Sequence, residues 1–82
     1  MGAAEKFIEA ARMDGGTKRS AEYWRGALDV IRYRLFGTPI QCPYSEGTVQ
    51  FDAYFAGNDR GHVLWRDRQA AEPVLRLVGK GL

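Results

Sequence analysis

The stretch of residues 37–48, GTPIQCPYSEGT, constrains the fold of this chain more than any other feature of its sequence. Pro39 and Pro43 each fix one backbone angle and remove one N–H donor, so a preceding helix cannot continue into this stretch. Gly37 and Gly47 supply positions where unusual backbone angles cost little. We therefore expect a stiff loop here, with the regular elements of the fold before and after it.

The segment before this loop has the clearest helical pattern in the chain. Ser20 suits the N-cap, because its oxygen can accept from the free N–H groups of the first turn, and Gly37 ends the helix. The apolar residues recur at helical steps on one face, and they are Trp24, Ala27, Leu28, Ile31 and Leu35. The opposite face alternates in charge, which allows i,i+3 and i,i+4 ion pairs, and it carries Glu22, Arg25, Asp29 and Arg32.

A shorter helix is predicted near the start of the chain, over residues 3–13. Phe7, Ile8 and Ala11 share one of its faces. The two glycines in residues 14–16 provide an inexpensive exit from the helix. A helix this short is marginal by itself in water, so we expect it either to dock on the rest of the fold or to fray.

The segment after the loop has two incompatible patterns. Residues 49–55 alternate between apolar and polar, and the run GNDRG then fits a turn, so local rules favour a β-hairpin at 49–67. The alternative is a third helix capped by Thr48. Gly57 and Gly61 would then each cost up to about 1 kcal/mol relative to alanine. Close approach of another helix at those two positions would compensate.

Length and composition limit the range of functions. A chain of 82 residues with 45% apolar and 27% charged residues is one small globular domain, residues 1–82, with little room for a deep catalytic cavity. The formal charge of +2 neither requires nor excludes a nucleic-acid partner. No apolar run approaches the ~18 residues of a membrane span, and the N-terminal residues lack the apolar stretch of a secretion signal. With one cysteine and no internal disulfide, we expect a cytoplasmic protein.

The residue types of a thiol-dependent catalytic triad occur, but in no recognised local signature. Nucleophilic catalysis would require a base such as His62 within about 3 Å of the Cys42 thiol, with Asp52 or Asp59 behind it. We interpret Cys42 as a small buried loop residue and His62 as a surface or boundary residue. One Cys and one His fall short of the roughly four ligands of structural zinc, and no glycine-rich cofactor motif is present. The sequence therefore predicts a non-catalytic protein without a metal or cofactor.

Arginine-rich clusters make binding a better candidate than catalysis. Nine of the twelve basic residues are arginine, whose planar group suits phosphate and stacks on bases. The clusters comprise Lys18, Arg19 and Arg25, and Arg60, Arg66 and Arg68. Aromatic side chains near them that could stack on bases are Tyr23, Trp24, Tyr54 and Trp65. The alternative is that these arginines solubilise a small domain whose core the aromatics form. Residues 37–56 contain no basic group, so a phosphate-facing surface should exclude them.

The segment that begins at Cys42, CPYSEGTVQFDAYFAGNDRGHVLWR, resembles the small proteins of the ribosome modulation factor family. Cys42-Pro43-Tyr44 matches the Cys/Asn-Pro-Tyr/Phe loop of that family. Gly57 matches its helical glycine, and Gly61 matches its second small position. The resemblance covers residues 20–68, which we expect to form the family-like core of the domain.

The same resemblance has departures. Tyr54 stands where the family usually has Trp, and Asn58 stands where it often has a second Trp. The family's namesake is strongly basic, whereas this chain has a net charge of only +2. Residues 1–19 and 69–82 have no evident counterpart in the family.

The resemblance implies an all-α fold. In it, a short N-terminal helix precedes two main helices packed as a hairpin across the Cys-Pro-Tyr loop, and a short C-terminal tail follows. Residues 48–69 would be helical, and the neighbouring helix would pass close to Gly57 and Gly61. Tyr44 would pack at a structural corner. The alternative is an α+β fold, with the β-hairpin at 49–67 and residues 74–78 as a third strand.

The resemblance also implies a function, which is non-catalytic docking on a ribosomal or other RNA-containing surface. The residues expected to contact phosphates are Arg25, Arg32, Arg60, Arg66 and Arg68. Tyr54 and Trp65 would mainly hold the core. The alternative is a protein–protein interaction module, such as an inhibitor or adaptor encoded by a phage or mobile element. The oligomeric state is left open.

Overall fold

Three α-helices form the part of the chain for which a computed structural model describes the conformation, residues 2–15 and 18–71. They are α1 (Ala3–Gly15), α2 (Ala21–Phe36) and α3 (Val49–Ala71). No strand occurs within these two ranges, so the all-α prediction is confirmed. The β-hairpin that local rules favoured at 49–67 is wrong. The predicted tail and the alternative strand at 74–78 lie outside the described residues.

The ends of α2 are the ones that the sequence predicts. The Ser20 hydroxyl oxygen accepts a hydrogen bond from the Tyr23 backbone N–H at 3.2 Å. At the other end, Gly37 adopts a left-handed conformation with φ of 75°, and its N–H donates to the Tyr33 carbonyl at 2.8 Å. Both contacts satisfy backbone groups that a helix end leaves without a partner.

The start of α3 follows the helical alternative. The Thr48 hydroxyl accepts from the Phe51 backbone N–H at 3.1 Å and donates to the Ser45 carbonyl at 2.7 Å. Farther along, Phe51 and Phe55 bring their ring centroids to 4.7 Å, one helical turn apart. The apolar–polar alternation of this segment is therefore accommodated on a helix, where residues three and four apart share a face.

Glycines allow α2 and α3 to touch backbone to backbone. A Cβ atom placed on Gly57 would lie 1.8 Å from the Tyr23 carbonyl oxygen, and one placed on Gly26 would lie 2.0 Å from the Tyr54 carbonyl oxygen. A Cβ on Gly61 would also be too close to α2, at 2.7 Å from its nearest atom. Neither helix could approach the other this closely with alanine at these positions, which confirms the close crossing expected at Gly57 and Gly61.

The order of these contacts gives the direction of the two helices. Gly57 meets Tyr23, and Gly61, one turn later on α3, meets Val30, about two turns later on α2. From Gly57 to Gly61 the nearest atoms of α2 advance from Tyr23 and Ala27 to Ala27 and Val30. Trp65, farther along α3, lies beside Phe7, whose neighbour Ile8 packs with Ala27 and Ile31. The two helices therefore cross while running in the same general direction. The loop of residues 37–48 therefore carries the chain back along the length of α2.

Helix α1 covers a second side of α2. Ala4 and Ile8 are buried in one cluster with Ala27 and Ile31 of α2. Phe7 lies beside α3, with its ring centroid 6.4 Å from that of Trp65. The short first helix is therefore docked, which is one of the two outcomes that its length left open, and its apolar face is the predicted one.

Candidate nucleic-acid interface

The charged face of α2, predicted to lie opposite its apolar face, is partly buried. Asp29 is only 9% exposed. Its carboxylate accepts from the Tyr54 hydroxyl at 2.5 Å and from Arg25 Nε at 3.1 Å, and it lies 3.9 Å from the Arg32 guanidinium. A buried carboxylate is costly unless it is hydrogen-bonded and paired. These contacts satisfy Asp29 and include the expected i,i+3 and i,i+4 pairs.

Tyr54 links the loop of residues 37–48 to both main helices. Its side chain is fully buried on α3, and its hydroxyl reaches Asp29 on α2 and lies 3.3 Å from the Gln41 carbonyl oxygen in the loop. The Tyr44 ring packs edge-on against it, at 6.0 Å between centroids. Burial, and next the hydrogen bond to Asp29, raise the pKa of Tyr54 well above its usual value. This tyrosine is therefore part of the interior rather than a surface for stacking.

Arg32 attaches α1 to the helix pair. Its guanidinium donates to the Glu5 carboxylate on α1 and is also near Asp29. The hydrogen bond from Arg32 is the main cause that lowers the pKa of Glu5. Arg25 and Arg32, two of the five predicted phosphate contacts, are therefore brought together around one carboxylate. Arg25 still leaves 48% of its side chain exposed.

The other three predicted arginines do not form one face of α3. Arg60 and Arg66 are six residues apart, which places them about 120° apart around the helix axis. The Arg68 guanidinium lies over the Phe7 ring at 5.2 Å from its centroid. Over residues 49–69, three basic side chains are balanced by three acidic ones. These arginines are close in the sequence, which suggested one basic patch, but the geometry of the helix places them on different sides of α3.

Positive charge is instead concentrated on α2 and the residues leading into it. Residues 18–36 contain five basic and two acidic side chains. The exposed members of this set are Lys18, Arg19, Arg25 and Arg34. The Arg19 guanidinium lies over the Tyr23 ring, 4.7 Å from its centroid. The excess of basic residues over 18–36 is visible in the sequence. The arginines of α3 are as closely spaced in the sequence, and only the helix geometry shows that they do not share a face.

A groove of about 400 Å³ lies next to this basic segment, between α1 and α2. We call it the α1–α2 groove. Its apolar lining is formed by Ile8, Trp24 and Leu28 together with Ala21. Its charged lining consists of Glu5, Glu9, Arg12, Arg19 and Arg25. An aromatic side chain beside several arginines is an arrangement that suits a base with its phosphates. Arg12 was not among the predicted phosphate contacts, because the predicted first helix had no assigned partner in the fold.

Cys42, the candidate nucleophile of the sequence, lies in the loop between α2 and α3. The Cys42 thiol is half-buried and donates to the Tyr44 carbonyl at 3.7 Å. Among the residues of known placement, no three His, Cys, Asp or Glu side chains come together in a way that would hold a metal ion. None of the helices in residues 2–15 and 18–71 combines the length and apolar character that crossing a membrane requires.

Comparison with models of known families, with curated proteins and with solved structures gives no significant match. The resemblance to ribosome modulation factors is therefore still a prediction from the residues quoted above.

Proposed function

We propose that this protein is a non-catalytic, cytoplasmic binding module that docks on an RNA-containing surface such as that of a ribosome. The observation that supports this function best is the concentration of basic side chains on residues 18–36, next to a groove with an aromatic side chain in its lining. Arginine binds phosphate through a planar set of donors, and positive charge attracts a polyanion from a distance.

The structure makes some of the expected phosphate contacts better candidates than others. Arg25 remains a good candidate because half of its side chain is exposed, whereas Arg32 holds α1 through Glu5. We assign the main contact surface to residues 18–36. Arg60, Arg66 and Arg68 are left as peripheral candidates, since they point in different directions around α3.

Sedimentation with ribosomes at low and at moderate salt tests this function. We expect the protein in the ribosome fraction at low salt and much less of it at moderate salt, because each phosphate that is neutralised releases counterions. Replacing Lys18 and Arg19 by Gln should release the protein at lower salt. Replacing Lys6 and Lys80 by Gln removes the same charge outside every candidate contact and is the matched control. Absence from ribosomes and polysomes at both salt concentrations would refute the proposal.

The second candidate is a protein–protein interaction module, and a specific observation favours it. Large apolar side chains remain exposed on α2 and α3, among them Phe36 at 64% and Val49 at 81%. Apolar and aromatic side chains of this kind often form the centre of a protein interface. This candidate predicts recovery of one protein partner or a homodimer, with no bound RNA. Affinity purification followed by nuclease treatment distinguishes the two candidates.

A further inference from the structure

We propose that the α1–α2 groove holds one unpaired nucleotide of the bound RNA, with its base stacked on Trp24 and its flanking phosphates on Arg12 and Arg19. This inference rests on the proposed function and extends it. RNA docking by charge alone requires no groove, whereas this proposal assigns a specific pocket and a ligand chemistry.

The lining of the groove has the properties of a stacking site. Trp24 is half-buried, and the Tyr23 ring packs against it nearly perpendicularly, at 5.2 Å between centroids. The contact restrains the indole before any ligand arrives, which reduces the entropy lost on binding. Ile8 and Leu28 supply apolar surface beside it. Base stacking on an aromatic side chain tolerates any base, so the site requires no particular sequence.

The charges around the groove favour an anion. Glu5 is held by Arg32, and Arg25 is held by Asp29, so two of the five charged lining residues have ion-pair partners. The other three charged lining residues are Arg12, Arg19 and Glu9, and all three are exposed. Two arginines against one carboxylate leave a local excess of positive charge next to the apolar surface.

The size of the groove fits a small ligand, and α1 creates it. A volume of about 400 Å³ lies within the range of about 300–1,000 Å³ that is usual for ligand pockets. One wall consists of α1, which belongs to residues 1–19. These residues lie outside the segment that resembles ribosome modulation factors, so the proposed pocket is a property of this chain rather than of that resemblance.

The test uses the full chain and short single-stranded RNA. In a Trp65→Phe background, Trp24 is the only tryptophan, so its fluorescence reports directly on the groove. We expect a hexaribonucleotide to quench this fluorescence. A hexamer of the same backbone without bases should bind more weakly and should leave the fluorescence unchanged, because it offers phosphates but nothing to stack.

Two matched pairs of variants measure the contributions. With fluorescein-labelled hexamer, Trp24→Leu should weaken binding by about fivefold or more. Phe55→Leu, which removes an exposed aromatic side chain of α3 that does not line the groove, should not. Circular dichroism establishes that each variant is folded. Glu9→Gln should strengthen binding a few-fold at low salt because it removes the opposing charge. Glu46→Gln, which changes another exposed glutamate, in the loop, should have a smaller effect.

The outcomes separate this inference from the function on which it rests. Co-sedimentation with ribosomes, combined with equal hexamer binding by the Trp24 and Phe55 variants, overturns the nucleotide pocket and leaves RNA docking intact. Absence of binding to both ribosomes and hexamers overturns both. Quenching by the hexamer that the base-free backbone reproduces would also overturn the stacking contact.

Discussion

At the residue scale, the contact between α2 and α3 depends on one reciprocal arrangement. The pattern Tyr-x-x-Gly occurs on both helices, as Tyr23 to Gly26 and as Tyr54 to Gly57. Each glycine lies against the carbonyl oxygen of the tyrosine on the other helix. The Asn58 side chain adds a hydrogen bond from its amide to the Gly26 carbonyl at 2.8 Å. Backbone atoms therefore form much of this interface, and side chains have little freedom to compensate for a change.

Gly57→Ala should destabilise the protein by at least about 3 kcal/mol, at the upper end of what overpacking usually costs. The added methyl would meet a Tyr23 backbone atom, which cannot rotate away as a side chain can. Gly61→Ala should cost less, because the added methyl would overlap α2 less severely, with its nearest atoms at 2.7 and 2.8 Å instead of 1.8 Å. Urea unfolding measures both variants. A Gly57→Ala protein as stable as the wild type would contradict the backbone contact described here.

Tyr54 makes the stability of the fold sensitive to alkaline pH. Because its pKa is higher in the folded protein than the usual 10.0, the phenol stabilises the fold fully below about pH 10. Above that pH the unfolded phenol ionises first, so this contribution falls as the pH rises towards the folded pKa. Tyr54→Phe lacks the group and serves as the control. We expect the stability difference between wild type and variant to narrow above pH 10 in urea unfolding. A constant difference would contradict the burial of the phenol.

At the element scale, α1 depends on a small set of contacts with the helix pair. Its buried residues are Ala4 and Ile8, and the ion pair between Glu5 and Arg32 adds a polar attachment. A helix of 13 residues is marginal without such packing. We therefore expect α1 to be the first of the three helices to open when conditions weaken these contacts.

Acid should loosen α1 through Glu5. The pKa of Glu5 is lowered in the folded protein, so its ionised carboxylate stabilises the fold above the usual pKa of 4.5. This stabilisation is lost as the pH falls below 4.5 through the lower pKa of the folded state. Amide exchange of the α1 backbone, corrected for its intrinsic rate, should therefore show weaker protection at pH 3 than at pH 5.5. Glu5→Gln should remove most of this dependence, and Glu9→Gln should preserve it. Equal protection at both pH values in the wild type would show that the ion pair does not hold α1.

The sequence predicted α1 and α2 well because their apolar residues have the helical period. It left α3 undecided because Val49 to Phe55 alternates like a strand, and because Gly57 and Gly61 are unfavourable in an isolated helix. The reason they occur in a helix is the contact with α2, which no local window contains. The burial of Asp29 was missed for the same reason, since its partner Tyr54 lies 25 residues farther along the chain.

At the scale of the whole molecule, the charge distribution matters more than the total. A net charge of +2 says little about a partner. The local charge nevertheless differs along the chain. Acidic and basic side chains are equal in number over residues 49–69 of α3, whereas residues 18–36 have an excess of basic side chains. The basic segment and the α1–α2 groove occupy one region, so a mutation that detaches α1 should impair RNA docking even without removing an arginine.

The parallel course of α2 and α3 turns the connecting loop into a tether with a minimum length. Helix α2 has 16 residues and spans about 24 Å. The twelve residues 37–48 can reach about 40 Å when extended, but six could reach only about 20 Å. Deleting residues 39–44 should therefore prevent α3 from docking, whereas replacing them with six Gly and Ser residues should cost stability without abolishing the pair. Far-UV circular dichroism and urea unfolding of the two proteins make the comparison. Insertions, unlike deletions, should be well tolerated at this point, which makes the loop a suitable place to attach a reporter peptide.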